Sequence, residues 1–263
     1  MSDGRTHRSS VVQAFRSARH GRPEGLHYDS FYTDSSASRS LLHPYNLSPL
    51  SRSEIPEAVV DLLPMRRGHF RLESGHHGDL WLDLERLCLD PRRVRSLSRA
   101  LAQRVATYDV EAICGPLVEG AFVALMVAAE LGLRFAYAER LAAPDSDALF
   151  AVKYRVPDAL RDELRGRRVA IVNDVVNAGS AVRGALNDLT ACDARPVVIA
   201  SLAVLGPAAA TLAANHGVAL ESLASLPNTI WTPEGCPLCA AGVSLENHED
   251  HKDHEDHNNR NGD

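Results

Sequence analysis

The stretch that decides the fold is Val169-Ala170-Ile171-Val172-Asn173-Asp174-Val175-Val176-Asn177-Ala178-Gly179-Ser180-Ala181. Its first four residues are apolar and rich in β-branched types, which predicts a short buried strand that ends at an amide and a carboxylate. A glycine and a serine then lead into a helical pattern that runs through Leu186 and Leu189. A strand that ends in an acidic turn and opens a helix is typical of a ligand-binding unit.

The turn of this unit has the chemistry of a phosphate site. A helix N-terminus offers free N–H groups and a partial positive charge. Gly179 would let the backbone approach a phosphate, Ser180 would add a hydroxyl donor, and Asp174 could accept hydrogen bonds from a sugar diol. The alternative is an ordinary turn in which Ser180 caps the helix, and the pattern alone leaves both interpretations open.

Composition limits the class of protein. The chain has 263 residues, a formal net charge of −6 and 45% hydrophobic residues, which allows a substantial core and is untypical of a nucleic-acid-binding protein. No apolar run reaches the length of a membrane span, and the first residues lack the apolar core of a secretory signal. We therefore expect a cytoplasmic protein that binds neither nucleic acid nor membrane. Five scattered cysteines indicate buried thiols rather than a disulfide framework.

Three segments differ in composition. Residues 1–53 are rich in Ser, Arg and His without a sustained period, which predicts a disordered leader. An organelle transit peptide or a start codon placed too far upstream would look similar. Residues 54–245 carry the periodic patterns of one folded domain. Residues 246–263 form a His- and Asp-rich tail that is predicted to be disordered.

Strand and helix patterns alternate within this domain. A helix with Ser53 as its N-cap is followed by a hairpin with strands over residues 70–73 and 80–84 and by a helix over 91–106. Further strands are expected at 111–114, 135–138, 149–155, 169–172, 197–202 and 218–223, with helices at 121–131 and 207–214. The prediction is an α/β fold, a parallel twisted sheet with helices on both faces and an N-terminal helix-plus-hairpin hood. Both glycine turns, at 115–120 and 177–180, fall at the carboxyl ends of strands, where ligands collect.

Two segments near the end contain candidate metal ligands. Cys236 and Cys239 form a Cys-x-x-Cys, which supplies two zinc ligands where a structural site needs four. The chain offers no second Cys-x-x-Cys, so a complete intrachain site is the less favoured interpretation. A site shared across a dimer, a redox pair and plain buried thiols remain alternatives. The tail histidines could bind Zn²⁺, Ni²⁺ or Cu²⁺ weakly, although a solvated tail is favoured: His248, His251, His254 and His257.

Five segments, in this order, resemble the type I phosphoribosyltransferases, most closely the orotate phosphoribosyltransferase group. They are Phe70-x-Leu72-x-Ser74-Gly75, Trp81-Leu82-Asp83-Leu84, Gly115-Pro116-Leu117-Val118-Glu119-Gly120, the strand over 136–140 and the segment 171–180. The last corresponds to the family's motif for phosphoribosyl pyrophosphate (PRPP). The resemblance implies that a base nitrogen attacks C1 of PRPP, that pyrophosphate leaves and that a nucleoside 5′-monophosphate forms. Orotate is the leading base, which would place the protein in pyrimidine biosynthesis.

The resemblance also implies residue roles. Asn173 and Asp174 would hold the ribose hydroxyls and act in catalysis. The remaining PRPP contacts would be Val175, Val176, Asn177, Ala178, Gly179, Ser180 and Ala181 at the 5′-phosphate, and Val118, Glu119, Gly120 and Arg140 at the pyrophosphate. The base would meet Ser74, His77, Trp81 and Asn177. Mg²⁺ would bridge pyrophosphate and ribose oxygens, and members of the family usually form homodimers.

Departures from the family pattern predict a divergent active site. Asn173 stands where the family usually has an acid, and Glu119 stands near a lysine of the orotate enzymes. Residues 140–147 hold one Arg, two Asp and no Lys or His, where those enzymes have a basic mobile loop. Their hairpin lysine falls near His77, and no Arg stands near residues 205–206, where they bind the base.

The loss of these cations gives a second hypothesis, a PRPP- or nucleotide-binding regulatory protein on the same fold with little or no catalysis. Three basic residues near the predicted site decide between the two hypotheses: Arg140, Lys153 and Arg155. If they face the site, catalysis is favoured, because a polyanion needs positive charge around it. If they face outward, a binding role is favoured.

Overall fold

The computed structural model describes residues 51, 53–141 and 149–246. The chain divides into two units, Met1–Asn46 and Leu47–Asp263, and every described residue belongs to the second. Apart from residues 51 and 53, the predicted leader lies outside the described residues, as do the tail histidines. Among the described helices, none is both long enough and apolar enough to cross a membrane.

The helices and strands follow one another in this order: α1 (Ile55–Val60), β1 (Met65–Arg71), β2 (His77–Leu82), α2 (Pro91–Val105), β3 (Ala112–Pro116), α3 (Glu119–Leu131), β4 (Arg134–Leu141), β5 (Lys153–Arg155), α4 (Asp158–Leu164), β6 (Arg168–Val176), α5 (Ser180–Ala191), β7 (Arg195–Leu205), α6 (Ala208–His216), β8 (Ala219–Leu226), β9 (Ile230–Trp231) and α7 (Pro237–Ala240). Short 3-10 turns lie at Leu84–Leu89, Ala106–Tyr108 and Pro233–Gly235.

A six-stranded sheet in the order β5-β4-β3-β6-β7-β8 forms the centre of the described chain. Its neighbouring strands pair in parallel except β5, which is antiparallel to β4. Strand β6 shows why both faces are covered, because alternate side chains of a strand point to opposite sides. Ala170 and Val172 pack in one core with α2 and α3, whereas Val169 and Ile171 pack in a second core with α5 and α6. The predicted parallel α/β sheet with helices on both faces is confirmed.

A second sheet, in the order β1-β2-β9, carries the predicted hairpin. Strands β1 and β2 are antiparallel, with Met65 opposite Leu82 and Arg71 opposite His77. At the tip, the Leu72 N–H donates to the His76 carbonyl at 2.8 Å, and Gly75 has φ of 81°, a conformation that favours glycine. The turn is where the sequence predicts it, although β1 begins and ends earlier than expected.

Four local predictions were wrong. Helix α1 has Glu54 as its N-cap, and Ser53 does not cap it. Only Lys153–Arg155 of the strand predicted at 149–155 forms. Helix α4 was not predicted, because only Leu164 of its seven residues is buried and no apolar face marks it. Strand β6 extends to Val176, since its pairing with β7 continues that far, so Asn173 and Asp174 lie within the strand.

Candidate functional site

The turn between β6 and α5 has the strand–turn–helix geometry that the sequence predicts, and we call it the phosphate cradle after its predicted role. Gly179, not Ser180, is the N-cap of α5, and its φ of 82° favours glycine. A Cβ at this position would also lie 3.2 Å from Leu212 Cδ2. Ser180 and Ala181 are the first residues of the helix, so backbone N–H groups of its first turn are presented beside the end of β6.

A second glycine turn, between β3 and α3, meets the first. A Cβ on Gly115 would lie 2.5 Å from Ala124 Cβ, and a Cβ on Gly120 would lie 2.0 Å from Asn173 Oδ1. Both glycines therefore allow close packing that any side chain would prevent. The peptide bond between Leu117 and Val118 is cis. The contact between Gly120 and Asn173 places the N-termini of α3 and α5 at one edge of the sheet, as predicted.

Asn173 and Asp174 lie between these turns and are only 7% and 4% exposed. The Asn173 amide Nδ2 donates to the Val175 carbonyl oxygen at 2.7 Å. Burial, together with the smaller effect of the negative charge of Glu119, raises the pKa of Asp174 to about 7, whereas a hydrogen bond from the Val175 N–H opposes this shift. A cation or a hydroxyl donor brought to this carboxylate would therefore favour its ionised form.

The tip of the hairpin reaches the phosphate cradle through Glu73. The Ser180 hydroxyl donates to Glu73 Oε2 at 2.6 Å, and the Tyr154 hydroxyl donates to Glu73 Oε1 at 2.8 Å. The Arg140 Nε lies 3.0 Å from the same Oε1. Burial, followed by the charge of Glu73, raises the pKa of Tyr154, so its hydroxyl stays protonated. A carboxylate is thus held by Ser180 and Arg140, two residues that were predicted to bind phosphates.

Of the three basic residues that were to decide between the hypotheses, one faces the site. Arg140 lies opposite Tyr154 in the antiparallel register of β4 and β5, so both side chains point to the same side. Lys153 and Arg155 are exposed on the other side of β5, where Arg155 donates to Asp158 Oδ1 at 2.6 Å. Of these three basic residues, only Arg140 therefore brings positive charge to the described site, whereas Lys153 and Arg155 do not.

A further cation was missed in the sequence. The Arg183 guanidinium lies 4.3 Å from the centre of the Phe150 ring, and its buried Nε has no hydrogen-bond partner among the described residues. Phe150 in turn donates its N–H to the Ser74 carbonyl at 2.9 Å. Arg183 lies in the first turn of α5, four residues after Gly179. Residues four apart lie on the same face of a helix, so this spacing could have placed Arg183 near the glycine turn.

The four predicted base-contacting residues do not lie together. Ser74 lies at the hairpin tip beside Glu73, and Asn177 Oδ1 accepts a hydrogen bond from Asn228 Nδ2 at 3.0 Å. The Trp81 ring packs against Phe70 at 5.6 Å between ring centres. His77 instead faces the C-terminal segment. Asn228, which follows β8, was not predicted to lie near the phosphate turn.

The other predicted PRPP contacts occupy the two turns as follows. Val175, Val176 and Ala178 are buried, whereas Val118 is 53% exposed. Glu119 is the first residue of α3. Val175 and Val176 pair with β7 through their backbone, so any anion-binding N–H groups of this set would come from the turn and helix that follow β6.

Cys236 and Cys239 lie beside two histidines, His69 and His77. One possible metal-ligand atom of each of these four residues lies within 4.8 Å of the other three. His69 was not predicted as a ligand and His77 was predicted to contact the base, because the two histidines are not part of a second Cys-x-x-Cys. The signal was present as two histidines that flank the hairpin turn.

Comparison with known proteins identifies the family. No family model matches the chain. Orotate phosphoribosyltransferase from Thermotoga maritima is 30% identical over 192 residues, which cover 73% of this chain and 95% of that protein. This chain belongs to the orotate phosphoribosyltransferase family. Another orotate phosphoribosyltransferase, from Caldanaerobacter subterraneus, is 26% identical over 196 residues, which cover 74% of this chain and 96% of the relative.

The fold is that of the type I phosphoribosyltransferases. The crystal structure of adenine phosphoribosyltransferase from Trypanosoma brucei, in complex with AMP, pyrophosphate and ribose-5-phosphate, matches with a TM-score of 0.52 at 16% identity. The match covers 70% of this chain and 83% of that one. Membership of the orotate phosphoribosyltransferase family confirms the resemblance that five short segments indicated.

Proposed function

We propose that this protein transfers ribose 5-phosphate from PRPP to orotate in pyrimidine nucleotide synthesis. The observation that carries the proposal is the meeting of two glycine turns across the Gly120–Asn173 contact. This contact brings two helix N-termini and a buried Asn-Asp pair to the carboxyl edge of one parallel sheet, where a sugar with phosphates at both ends would fit. The similarity to orotate phosphoribosyltransferases supports orotate as the base.

The chain's own residues position the reactants and stabilise charge. The first turn of α5 holds the 5′-phosphate, and Asn173 and Asp174 hold the ribose hydroxyls. Pyrophosphate leaves towards the turn at Glu119 and towards Arg140. As the bond to pyrophosphate breaks, positive charge develops on the ribose ring, and the buried Asp174 carboxylate stabilises it.

The donor set fits the Mg²⁺ that PRPP chemistry implies. Asp174 and Glu119 are two acids close enough for the charge of one to raise the pKa of the other, and carboxylate oxygens are ligands that Mg²⁺ accepts. When bound, Mg²⁺ would neutralise charge on the pyrophosphate. Asp174 and Glu119 are the residues of this chain that would hold it.

The reaction is tested by incubation with PRPP, Mg²⁺ and each common base, with released pyrophosphate as the readout. We expect turnover with orotate. If no base supports turnover, the proposed transfer is wrong. If calorimetry then shows PRPP or nucleotide affinity without product, the second function applies, a regulatory binding protein on the same fold.

One observation favours this second function. Glu73 brings a negative charge into the cradle and is bound to both Ser180 and Arg140, while Lys153 and Arg155 face away. A site with this balance of charge holds a pyrophosphate less strongly than a site lined with cations. Transfer would therefore require PRPP to displace Glu73 from Ser180 and Arg140.

Glu73→Gln is expected to strengthen PRPP binding. The substitution keeps hydrogen bonds to Ser180 and Tyr154 possible but removes the negative charge that competes with phosphate for Arg140. We expect the Kd for PRPP to fall about 10-fold, since a hydrogen bond to a charged group is worth ~1.5 kcal/mol or more. Calorimetry measures it, and Glu163→Gln, on exposed α4, is the matched control. Weaker binding by Glu73→Gln would mean that Glu73 contributes to the site.

Arg140→Gln is expected to raise the KM for PRPP about 10- to 100-fold, because a charge-assisted contact with phosphate is worth ~1.5–3 kcal/mol. Lys153→Gln is the matched control, since Lys153 lies on the paired strand and faces the other side. Steady-state kinetics should show little change for the control. Equal effects of the two substitutions would contradict the assignment of Arg140 to the site.

We also propose that the protein is a homodimer. Helix α3 and the residue before it expose an apolar row at helical spacing: Val118, Phe122 and Leu125, which are 53%, 44% and 50% exposed. Such a row supports burial against a second copy. Sedimentation velocity should give a dimer for the wild type and a monomer for Phe122→Asp. An unchanged dimer in the variant would place the interface elsewhere.

A further inference from the structure

Four side chains from two distant parts of the chain meet beside the hairpin. His69 lies on β1 and His77 on β2, while Cys236 precedes α7 and Cys239 lies within it. We propose that these four residues bind one structural Zn²⁺ ion through His69 Nε2, His77 Nδ1 and the two Sγ atoms. The site itself is independent of the proposed function, and only its effect on the hairpin tip rests on that function.

Four of the six separations between the ligand atoms are close to the edges of a zinc tetrahedron, and all six are within 4.8 Å. Metal bonds of about 2.3 Å to sulfur and about 2.0–2.1 Å to nitrogen give edges of about 3.3 Å between nitrogens and about 3.6 Å between nitrogen and sulfur. The two histidine nitrogens are 3.2 Å apart. The nitrogen–sulfur separations are 3.4 Å for His69 to Cys236, 3.7 Å for His69 to Cys239 and 3.2 Å for His77 to Cys239.

A backbone contact sets the tautomer of His69. Its Nδ1 lies 2.9 Å from the Val243 carbonyl oxygen, which can only accept a hydrogen bond, so Nδ1 carries the proton. The lone pair is then on Nε2, which points at the other three ligand atoms. A carbonyl that orients a histidine in this way is a usual companion of zinc sites. This contact supports metal binding independently of the four-atom geometry.

The fold holds both halves of the site in place. His77 pairs with Trp231 in the antiparallel contact between β2 and β9, which brings the following cysteine segment alongside the hairpin. Further along, the Glu246 N–H donates to the His69 carbonyl at 2.8 Å and the Arg71 N–H donates to the Glu246 carbonyl at 2.9 Å. Backbone pairing on both sides therefore fixes the ligands before a metal arrives.

The two sulfur and two nitrogen ligands favour Zn²⁺ over the Mg²⁺ that is proposed to act with PRPP. Two thiolates and two imidazoles are soft or borderline ligands in a tetrahedral set, which suits Zn²⁺ and not the oxygen-seeking Mg²⁺. His69, His77 and Cys236 are buried, and the four residues leave no position for a substrate, so the site is structural rather than catalytic. This assigns His77 to the metal instead of the base.

The ion would act on the hairpin tip. In sequence, Glu73 and Ser74 lie between the two histidine ligands, and the cysteines are more than 150 residues away. Coordination would therefore tie both strands of the hairpin to the C-terminal segment. We expect this tie to hold Glu73 over Ser180, the contact at the centre of the candidate site.

The decisive measurement is the zinc content of the full-length protein, purified without a metal-affinity step and determined by elemental analysis. The tail histidines are a second possible source of bound metal, so the background is a full-length chain with all four replaced: His248→Gln, His251→Gln, His254→Gln and His257→Gln. This chain should retain one equivalent of zinc. Cys236→Ser and Cys239→Ser in the same background should lose it, whereas Cys88→Ser and Cys192→Ser, the matched thiol controls, should keep it.

A spectroscopic readout needs no substitution at the four proposed ligands, so it does not depend on whether the cysteine variants fold. Replacing zinc with Co²⁺ in the tail-substituted protein should give the strong visible d–d bands of a tetrahedral site and a sulfur-to-cobalt charge-transfer band. A weak octahedral spectrum without the charge-transfer band would overturn the proposal, as would zinc that disappears with the tail histidines or survives in Cys236→Ser.

Hydrogen–deuterium exchange then tests the link to the active-site hairpin. On zinc removal, exchange of residues 65–82 should rise by at least 10-fold while β6 and β7 stay protected. Faster exchange with unchanged PRPP affinity would confirm the metal site and reject its effect on the proposed transfer. Unchanged exchange throughout would contradict the structural role of the ion.

Discussion

Asp174→Asn is expected to reduce phosphoribosyl transfer about 100-fold and to stabilise the folded protein at neutral pH. The loss of activity follows from the missing carboxylate, because a hydrogen bond to a charged group is worth ~1.5–3 kcal/mol and each ~1.4 kcal/mol is tenfold in rate. The gain in stability follows from the burial of this side chain, because an ionised carboxylate is costly in a buried position and asparagine carries no charge.

The raised pKa of Asp174 makes the folded wild-type protein less stable as the pH rises. The folded pKa of Asp174 is about 7, above its ordinary value of 3.8. Between these two values the folded protein keeps a proton that the unfolded chain has released, so stability falls as the pH rises through this interval. The favourable contribution is fully present below about pH 4 and is lost above about pH 7. Asparagine cannot ionise, so the variant avoids the loss.

The size of the effect is set by the pKa difference. At ~1.4 kcal/mol for each unit, the wild type loses up to about 4 kcal/mol between the two limits relative to the variant. Urea unfolding at about pH 5 and about pH 8 should therefore show a variant advantage that grows with pH. Pyrophosphate release by the same samples measures the activity.

Asp188→Asn is the matched control for this experiment. Asp188 is also largely buried, but its carboxylate accepts hydrogen bonds from the Arg161 guanidinium at 2.7 Å and from the Val156 N–H at 2.8 Å. Its neutralisation should destabilise the protein, because Arg161 loses its partner. An Asp174→Asn variant that is fully active, or that is less stable than wild type at about pH 8, would contradict the assignment.

Gly120→Ala is expected to destabilise the protein by about 1–3 kcal/mol and to weaken PRPP binding at least 10-fold. The new Cβ would lie 2.0 Å from Asn173 Oδ1 and 3.1 Å from Asn173 Cγ. Asn173 is buried and held by its bond to the Val175 carbonyl, so relief of the clash requires it to move away from its predicted ribose contact. Urea unfolding and calorimetry with PRPP measure the two effects.

Two further variants show whether the contact itself is responsible. In Gly132→Ala the new Cβ meets nothing within 4 Å, so only the positive φ of 65° should cost stability, by ~1 kcal/mol, and PRPP binding should not change. Asn173→Ala removes the side chain that clashes, so its effect on stability should not add to that of Gly120→Ala. Strict additivity of the two changes would show that the Gly120–Asn173 contact does not couple the two turns.

Prediction from the sequence succeeded where the signal lies in neighbouring residues. The apolar run before Asn173, the glycine turn at Gly179 and the helical period after it are local, and the structure has each of them. Helix α4 was missed because its sequence shows almost no apolar period. Strand β6 was predicted too short because its length depends on pairing with β7, which no local pattern encodes.

The sequence by itself determined the parallel α/β fold, the family and the two glycine turns, because hydrophobic periodicity and turn chemistry are properties of residues close together in the chain. Only the tertiary structure decided that Glu73 binds Ser180, that Arg140 faces the site while Lys153 does not, and that His69 meets Cys236. Each of these facts depends on strand register or on chain segments more than 60 residues apart. A shift of one residue in a strand reverses the face of every side chain, so these contacts follow from the pairing and not from the local pattern.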